Sequence, residues 1–253
     1  MSVTPERAHW LKNIHLAKGY HPIKTPGEWC LMEAAAYIAG EPWSDHPKCV
    51  STVLTAYGMA LNDSLDDDQR QKLIPFIPRM LGTANDGQDE ARSYLALDWL
   101  MRTYTPAWLD LAGLTAEATA LREHPQIMDT EALHSIRSAA SAARWAASTV
   151  AAHSGATVAA QVAADAAAHE TSFPVRRAAA YLTAFSLEYT AAFTAAYAAA
   201  YTTSISAARV AVHETAREEM WVVLAPTVEA LQESALDLFD AMIDPGLATQ
   251  ENV

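Results

Sequence analysis

A four-residue repeat covers residues 145–216 and constrains the fold of this chain more than any other feature. Each tetrad opens on a variable, often large residue and nearly always closes on Ala or Ser, as in WAAS, TVAA, YTAA, FTAA and YAAA. Alanine is the strongest helix former, and no alternating apolar–polar run or hairpin turn predicts a strand anywhere in the chain. We therefore predict an all-α helical bundle, in which a region of short helices packs on long Ala-rich helices.

Aromatic side chains open six consecutive tetrads of the repeat. They are Tyr181, Phe185, Tyr189, Phe193, Tyr197 and Tyr201. A step of four residues advances an α-helix by about 400°, so this aromatic ridge drifts around the helix instead of staying on one side. Such a helix must be surrounded by other helices, or it must offer its aromatic side chains to another subunit or to a ligand. Small residues on its other faces allow neighbouring helices to approach closely.

The composition changes near residue 125 and predicts two regions, 1–125 and 126–253. Most glycines and prolines and all five lysines precede this point, which predicts several short helices. The second region predicts three helices, over about 130–169, 175–224 and 227–244, with breaks at Pro174 and Pro226. The last helix should bury one face, formed by Leu231, Ala235, Leu238 and Met242.

The charge balance disfavours ordinary nucleic-acid binding. The chain has 253 residues with 17 Lys and Arg against 30 Asp and Glu, a formal net charge of −13, whereas nucleic-acid binding needs a basic face. An acidic decoy that mimics nucleic acid stays open. The uncharged stretch 189–208 is mostly Ala, Thr, Ser and Tyr, which favours a buried helix over a membrane span. With two cysteines and no apolar leader at the start, we expect a cytoplasmic protein.

The densest group of polar residues lies at 30–49, in CLMEAAAYIAGEPWSDHPKC. Cys30, His46 and Cys49 could converge on a zinc ion, with Glu33 or Asp45 as the fourth ligand. The spacing matches no established zinc motif, because the block has no CxxC pair.

Three other interpretations of the same block remain open. Glu33, Glu41, Asp45 and His46 could form a hydrolase-type acid–base site, or Cys30 and His46 a nucleophile and its base. In a purely structural interpretation, Ser44, Asp45 and His46 cap a helix, both cysteines are core residues, and Trp43 fills the core.

Two acidic clusters are interpreted as solvated helix starts. Asp63, Asp66, Asp67 and Asp68 do not have the spacing of a calcium loop. Asp86, Asp89 and Glu90 are interpreted in the same way. The chain contains no dinucleotide-binding, Walker, nucleophile-elbow or HExxH motif.

The block at 30–49 resembles a signature of a widespread group of uncharacterised bacterial and phage proteins. They carry a C-L-M-E-A-x-A-Y-x-A-G-E-x-x-S-D-H-P stretch, matched here from Cys30 to Pro47, and many continue into Ala-rich tetrads. Segments 77–83 and 96–114 resemble later parts of the same group. The group has no known activity, so the resemblance implies no function. Trp43 stands where many members carry His, which weakens the zinc hypothesis.

These observations favour a non-enzymatic binding or interaction protein, and a phage or a mobile element is a candidate source of its gene. We expect a protein partner or self-association as a homo-oligomer, because the aromatic ridge needs something to cover it. No nucleic-acid or membrane partner is expected. The alternatives are the hydrolase, with or without zinc, and the acidic decoy.

Overall fold

The computed structural model describes residues 5–21, 28–152, 163–164 and 214–248. Within these residues the chain is all-α, and an isolated β-bridge pairs Leu16 with Trp29. The helices are α1 (Pro5–Leu11), α2 (Leu31–Ala39), α3 (Thr52–Ser64), α4 (Asp67–Gln71), α5 (Ile77–Met80), α6 (Asp89–Trp99), α7 (Thr105–Leu111), α8 (Thr115–Arg122), α9 (Thr130–Ser135), α10 (Arg137–Ala152), α11 (Glu214–Ile243) and α12 (Pro245–Ala248). A 3-10 turn, Ile74–Phe76, precedes α5, and a π-helical turn, Leu100–Tyr104, joins α6 to α7. The predicted helical fold class is confirmed.

Much of the tetrad repeat lies outside the described residues. This applies to the aromatic ridge at 181–201, to the predicted break at Pro174 and to the stretch 189–208. The structure describes the repeat over residues 145–152 and at 163–164, where the chain is helical. Among the described residues, no helix is long and apolar enough to cross a membrane.

The helix α2 lies at the centre of the N-terminal region, packed against α3 and α5. Gly58 lies where α3 packs tightly against both α2 and α11. A Cβ at this position would clash with the Met32 side chain of α2 and would lie 3.1 Å from the Phe239 side chain of α11. The α11 helix packs on α3 and α6, and the Tyr57 hydroxyl donates to the Ala235 carbonyl at 3.0 Å. The described end of the Ala-rich region therefore shares one core with the short helices.

Arg92 ties the end of α11 to the start of α6. This side chain is fully buried, and its Nε donates to the Met242 carbonyl at 2.8 Å. Its other nitrogens bind the carboxylates of Asp86, at 2.6 and 2.8 Å, and of Asp89, at 2.9 Å. The guanidinium holds the pKa of Asp86 below its usual value. The prediction of a solvated acidic cluster was therefore incomplete: Asp89 does lie in the first turn of α6, but both aspartates neutralise a buried arginine.

Several predicted helix boundaries were wrong because tertiary hydrogen bonds replace helical ones. The Lys18-Gly19 pair predicts the end of the first helix, but α1 ends at Leu11, since the backbone of Leu16 forms two hydrogen bonds with the Gln71 side chain. Pro47 predicts the start of a helix, but α3 starts later, because the Ser51 hydroxyl is its N-cap.

The acidic residues at 63–68 also have different structural roles. The sequence predicts Ser64 as the N-cap of the next helix, but Ser64 lies inside α3. Asp66 caps α4 instead, by accepting from the Gln69 amide at 2.8 Å. Asp63 accepts from the Gly19 amide at 2.8 Å, so it holds a loop and does not start a helix.

The sequence predicts a helix end before Pro106 and a break at Pro226, but both prolines lie within continuous helical paths. The helical path continues from α6 through the π-helical turn into α7, with the Thr105 amide bonded to the Leu100 carbonyl ahead of Pro106. The α11 helix likewise runs through Pro226. Its predicted buried face is confirmed, since Leu231, Ala235, Leu238 and Met242 are all buried.

Candidate functional site

The first residues of the 30–49 block form a capping box. The Cys30 thiol accepts a hydrogen bond from the Glu33 amide at 3.4 Å, and the Glu33 carboxylate accepts one from the Cys30 amide at 2.8 Å. This reciprocal pair satisfies two amides at the start of α2. At the other end of the helix, Gly40 adopts a left-handed φ of 78° and closes it.

The carboxylate of Glu33 is fully buried and binds a histidine that the sequence did not point to. Its Oε1 accepts from the His21 amide at 2.6 Å, and its Oε2 lies 2.9 Å from Nδ1 of the His21 ring. With the Cys30 amide, Glu33 therefore has three donors, which compensate for its removal from water. The His21 side chain is 15% exposed.

The orientation of the His21 ring follows from these contacts. Nδ1 is the ring nitrogen that faces the Glu33 carboxylate, so this contact fixes how the ring is turned. The backbone of His21 is also fixed, because the Trp43 indole donates to its carbonyl at 2.6 Å. Glutamate, imidazole and indole thus form one ordered polar group beside α2.

Glu41 and Cys49 form a second pair within the block. The Glu41 carboxylate accepts from the Lys48 amide at 2.6 Å and is hydrogen-bonded to the Cys49 thiol. Burial, with Glu41 beside it, raises the pKa of Cys49 to about 11. This thiol therefore stays protonated at neutral pH.

Asp45 and His46 form a third pair at the surface. Nδ1 of His46 lies 2.8 Å from the Asp45 carboxylate, and the His46 side chain is 70% exposed. The Ser44 hydroxyl accepts from the His46 amide at 3.0 Å and closes a tight turn. The expectation that these residues cap a helix was wrong, because Ser51 caps α3.

The zinc and nucleophile hypotheses find little support in this geometry. Cys30, His46 and Cys49 each contact a different carboxylate, and the described part of the chain contains no group of three or more His, Cys, Asp and Glu side chains arranged around a metal position. Burial raises the pKa of Cys30 to about 12, so the thiolate that a nucleophile needs is strongly disfavoured. Both cysteines are free and buried, as the structural interpretation expected.

A small cleft of about 100 Å³ opens beside the capping box. Its lining residues are Gly19, Tyr20, Cys30, Asp45, Met59, Asn62 and Asp63. The fully buried Asn62 holds the wall together: its amide donates to the Ala17 carbonyl at 3.0 Å and to Asp63 at 2.9 Å. Of the four predicted acid–base residues, Asp45 alone lines this cleft, and Glu33 lies behind it.

Sequence reasoning missed His21, Asn62 and Arg92. A capping-box pattern was present in Cys30-x-x-Glu33, although cysteine replaces the usual serine or threonine. No local pattern indicates His21, because its partner is 12 residues away on another element.

A different surface is formed by the exposed side of α10. Ala140, Ala143 and Ala147 are fully buried on one side of this helix, which packs against α8. Trp145 on the opposite side is 75% exposed. Arg137 and Arg144 are exposed as well. At 100° per residue they lie on the flank of the helix between Trp145 and the buried alanines. The α10 helix contains no acidic residue. We call Arg137, Ser141, Arg144, Trp145 and Ser148 the α10 face.

Comparisons with protein-family models, with curated proteins and with solved structures give no match to this chain. The resemblance of the 30–49 block to a group of bacterial and phage proteins stays a prediction. The functional proposals below therefore depend on the geometry of this molecule alone.

Proposed function

We propose that this chain is a protein-binding protein and that the α10 face is its contact surface. The observation that carries the proposal is the exposure of Trp145, which is 75% accessible on a helix whose opposite side is fully buried. Tryptophan is the most costly apolar side chain to leave in water at such a position, and among the described residues it is the most exposed of the large apolar side chains.

The surroundings of Trp145 are those of a contact surface. The exposed neighbours of Trp145 on α10 include small serine and alanine residues, so the indole ring projects beyond them. Arg137 and Arg144 add positive charges in a chain whose net charge is −13. Tryptophan and arginine are the residues most enriched at the energetic centres of protein interfaces. The proposal predicts a partner with an apolar patch bordered by acidic residues. We place this activity in the cytoplasm, because Cys30 and Cys49 are free thiols.

Site-specific crosslinking tests this function. A photo-reactive phenylalanine analogue in place of Trp145, in the full chain expressed in its source cells, should form a covalent adduct with a protein. The same analogue in place of Tyr20 is the matched control, since Tyr20 is 55% exposed but lies beside the small cleft. An adduct specific to position 145 supports the proposal. Equal labelling from both positions, or none from position 145, contradicts it.

A second candidate function is acid–base chemistry at His21, favoured by one specific contact. Glu33 holds Nδ1 of His21 at 2.9 Å, the arrangement that orients a histidine base in many enzymes. The neighbouring cleft is lined by Tyr20, Asp45 and Asp63 and could admit a small polar group. In this version of the hydrolase hypothesis, His21 replaces His46 as the base.

A pair of variants distinguishes a catalytic from a structural role for His21. With a panel of chromogenic esters and phosphates, His21→Gln should abolish any turnover while the melting temperature falls only modestly, because glutamine can still donate to Glu33. His46→Gln is the control and should retain full activity. Turnover that is equal in the two variants, or absent from the natural chain, contradicts this candidate.

A further inference from the structure

The exposed side of α11 carries the complement of the α10 face. Val222 is 74% exposed and Val223 is 46% exposed. Further along the same helix, Glu229, Glu233 and Asp237 are exposed. At 100° per residue, Glu229 and Glu233 lie within about 20° of the direction of Val222, so Val222 and the two acids form one stripe. Val223 lies about 100° to one side of it. We call Val222, Glu229 and Glu233, with the adjacent Val223, the α11 stripe.

The two surfaces agree in spacing as well as in charge. On α10, Arg137 precedes Trp145 by eight residues, which is about 12 Å along the helix axis. On α11, Glu229 follows Val222 by seven residues, which is about 10.5 Å. An antiparallel arrangement therefore brings Trp145 onto the exposed valines when Arg137 comes next to Glu229.

We propose that the partner of the α10 face is a second copy of this chain, bound through its α11 stripe. This inference rests on the proposed function and names the partner for the same surface. The two surfaces are exposed in the same chain, so each copy offers both halves of the contact. Two reciprocal contacts would close a two-fold dimer, whereas one contact per copy would extend into an open chain.

Charge explains why the contact would be specific. Each copy carries a net charge of −13, so two copies repel each other over most of their surfaces. The α10 helix holds two arginines and no acid, which makes it a surface that an acidic stripe can approach favourably. Removal of Trp145 should therefore weaken the contact, and reversal of the charges should oppose it.

Light scattering on the full chain at about 100 μM tests the proposal, since a micromolar dimer is fully formed at that concentration. We expect a dimeric mass for the natural chain. Trp145→Ala should raise the dissociation constant about 30-fold or more, as loss of an interface tryptophan does. Met128→Ala, at another exposed large apolar side chain that lies outside both surfaces, is the matched control and should leave the dissociation constant unchanged.

Charge-reversal variants test whether the α10 face of one copy binds the α11 stripe of the other. Arg137→Glu with Arg144→Glu in one chain, or Glu229→Lys with Glu233→Lys in the other, should each dissociate the homodimer. An equimolar mixture of these two variants should associate again, because both contacts then pair opposite charges. All four positions are exposed, so the variants should keep the helical spectrum of the natural chain.

The outcomes separate this inference from the proposed function. A monomer at about 100 μM, or a dimer that Trp145→Ala does not weaken, overturns self-association. If position 145 still crosslinks to a different protein, the binding function stands. A lower melting temperature for Trp145→Ala without a change of mass would mean that the ring is covered within its own chain, which overturns both.

Discussion

The helices α2 and α10 are both rich in alanine, yet one is surrounded and the other is covered on a single side. In α2, Ala34, Ala35 and Ala36 are consecutive and all fully buried. In α10, the buried alanines recur at intervals of three and four, and Trp145 between them is 75% exposed. Alanine content therefore shows how closely neighbours can approach a helix, but not how many neighbours the helix has.

The difference comes from the surroundings of each helix. The α2 helix lies between α3 and α5, and its first turn is fixed by Glu33 and the loop that carries His21. The α10 helix packs on α8 and α9. We expect substitutions in α2 to act on stability and substitutions on the α10 face to act on binding.

The largest effect should come from the buried carboxylate at the start of α2. Glu33→Ala leaves three donors without their acceptor and should lower the free energy of unfolding by about 3–5 kcal/mol, measured by urea denaturation. Glu123→Ala, at an exposed position after α8, is the control and should change it by less than about 0.5 kcal/mol. Similar losses in the two variants would contradict the central role of Glu33.

The second-largest effect on stability should come from replacing an alanine by leucine, which should destabilise the protein when it is made in α2 but not when it is made on the exposed side of α10. Ala35→Leu in α2 should cost about 1–3 kcal/mol, because the site is fully buried and surrounded. Ala142→Leu on the exposed side of α10 should stay within about 0.5 kcal/mol. Denaturation midpoints measure both, and an Ala35→Leu protein as stable as the natural chain would mean that α2 has room on one side.

Alkaline pH should lower the free energy of unfolding by a smaller amount than these substitutions do, through the ionisation of Cys30 in the unfolded chain. Its pKa is raised from 9.0 to about 12 in the folded protein, so only the unfolded chain loses this proton between those values. Stability is therefore retained below about pH 9 and lost as pH rises, by about 1 kcal/mol at pH 10. Cys30→Ala should show a shallower fall in stability between about pH 8 and 10.

An exposed thiol is the matched control for that titration. Ala142→Cys adds a cysteine on the exposed side of α10, where folding does not remove it from water. This variant should follow the pH dependence of the natural chain. A shallower curve for Cys30→Ala is required, and identical curves would contradict the assignment to Cys30.

The smallest effect on stability should come from Trp145, the most exposed of the large apolar side chains in the part of the chain that the structure describes. Trp145→Ala should change the free energy of unfolding by less than about 0.5 kcal/mol when measured at a concentration too low for association. The same variant should lose most of its binding. A large loss of stability in the isolated chain would mean that Trp145 belongs to a core, as the alanines of α2 do.

The amino-acid sequence alone determined the features that depend on neighbouring residues. The sequence predicts the all-α class, a helix cap at Asp129 or Thr130, a helix end at Gly40 and the buried face of α11. The structure has Asp129 as the cap of α9 and Gly40 at the end of α2. Each follows from backbone hydrogen bonding within one turn or from the helical period. Part of the structural interpretation of the 30–49 block, its two buried cysteines, was predictable in the same way.

Only the tertiary structure decided which distant residues meet. Glu33 was a candidate from the sequence, but its partner is His21 and not His46, and Arg92 reaches a carbonyl 150 residues away. Likewise, nothing in the tetrads shows that α10 is covered on one side while α2 is enclosed. These contacts depend on how the helices are arranged around the shared core, because the free energy of burial depends on all neighbours at once and not on the local pattern.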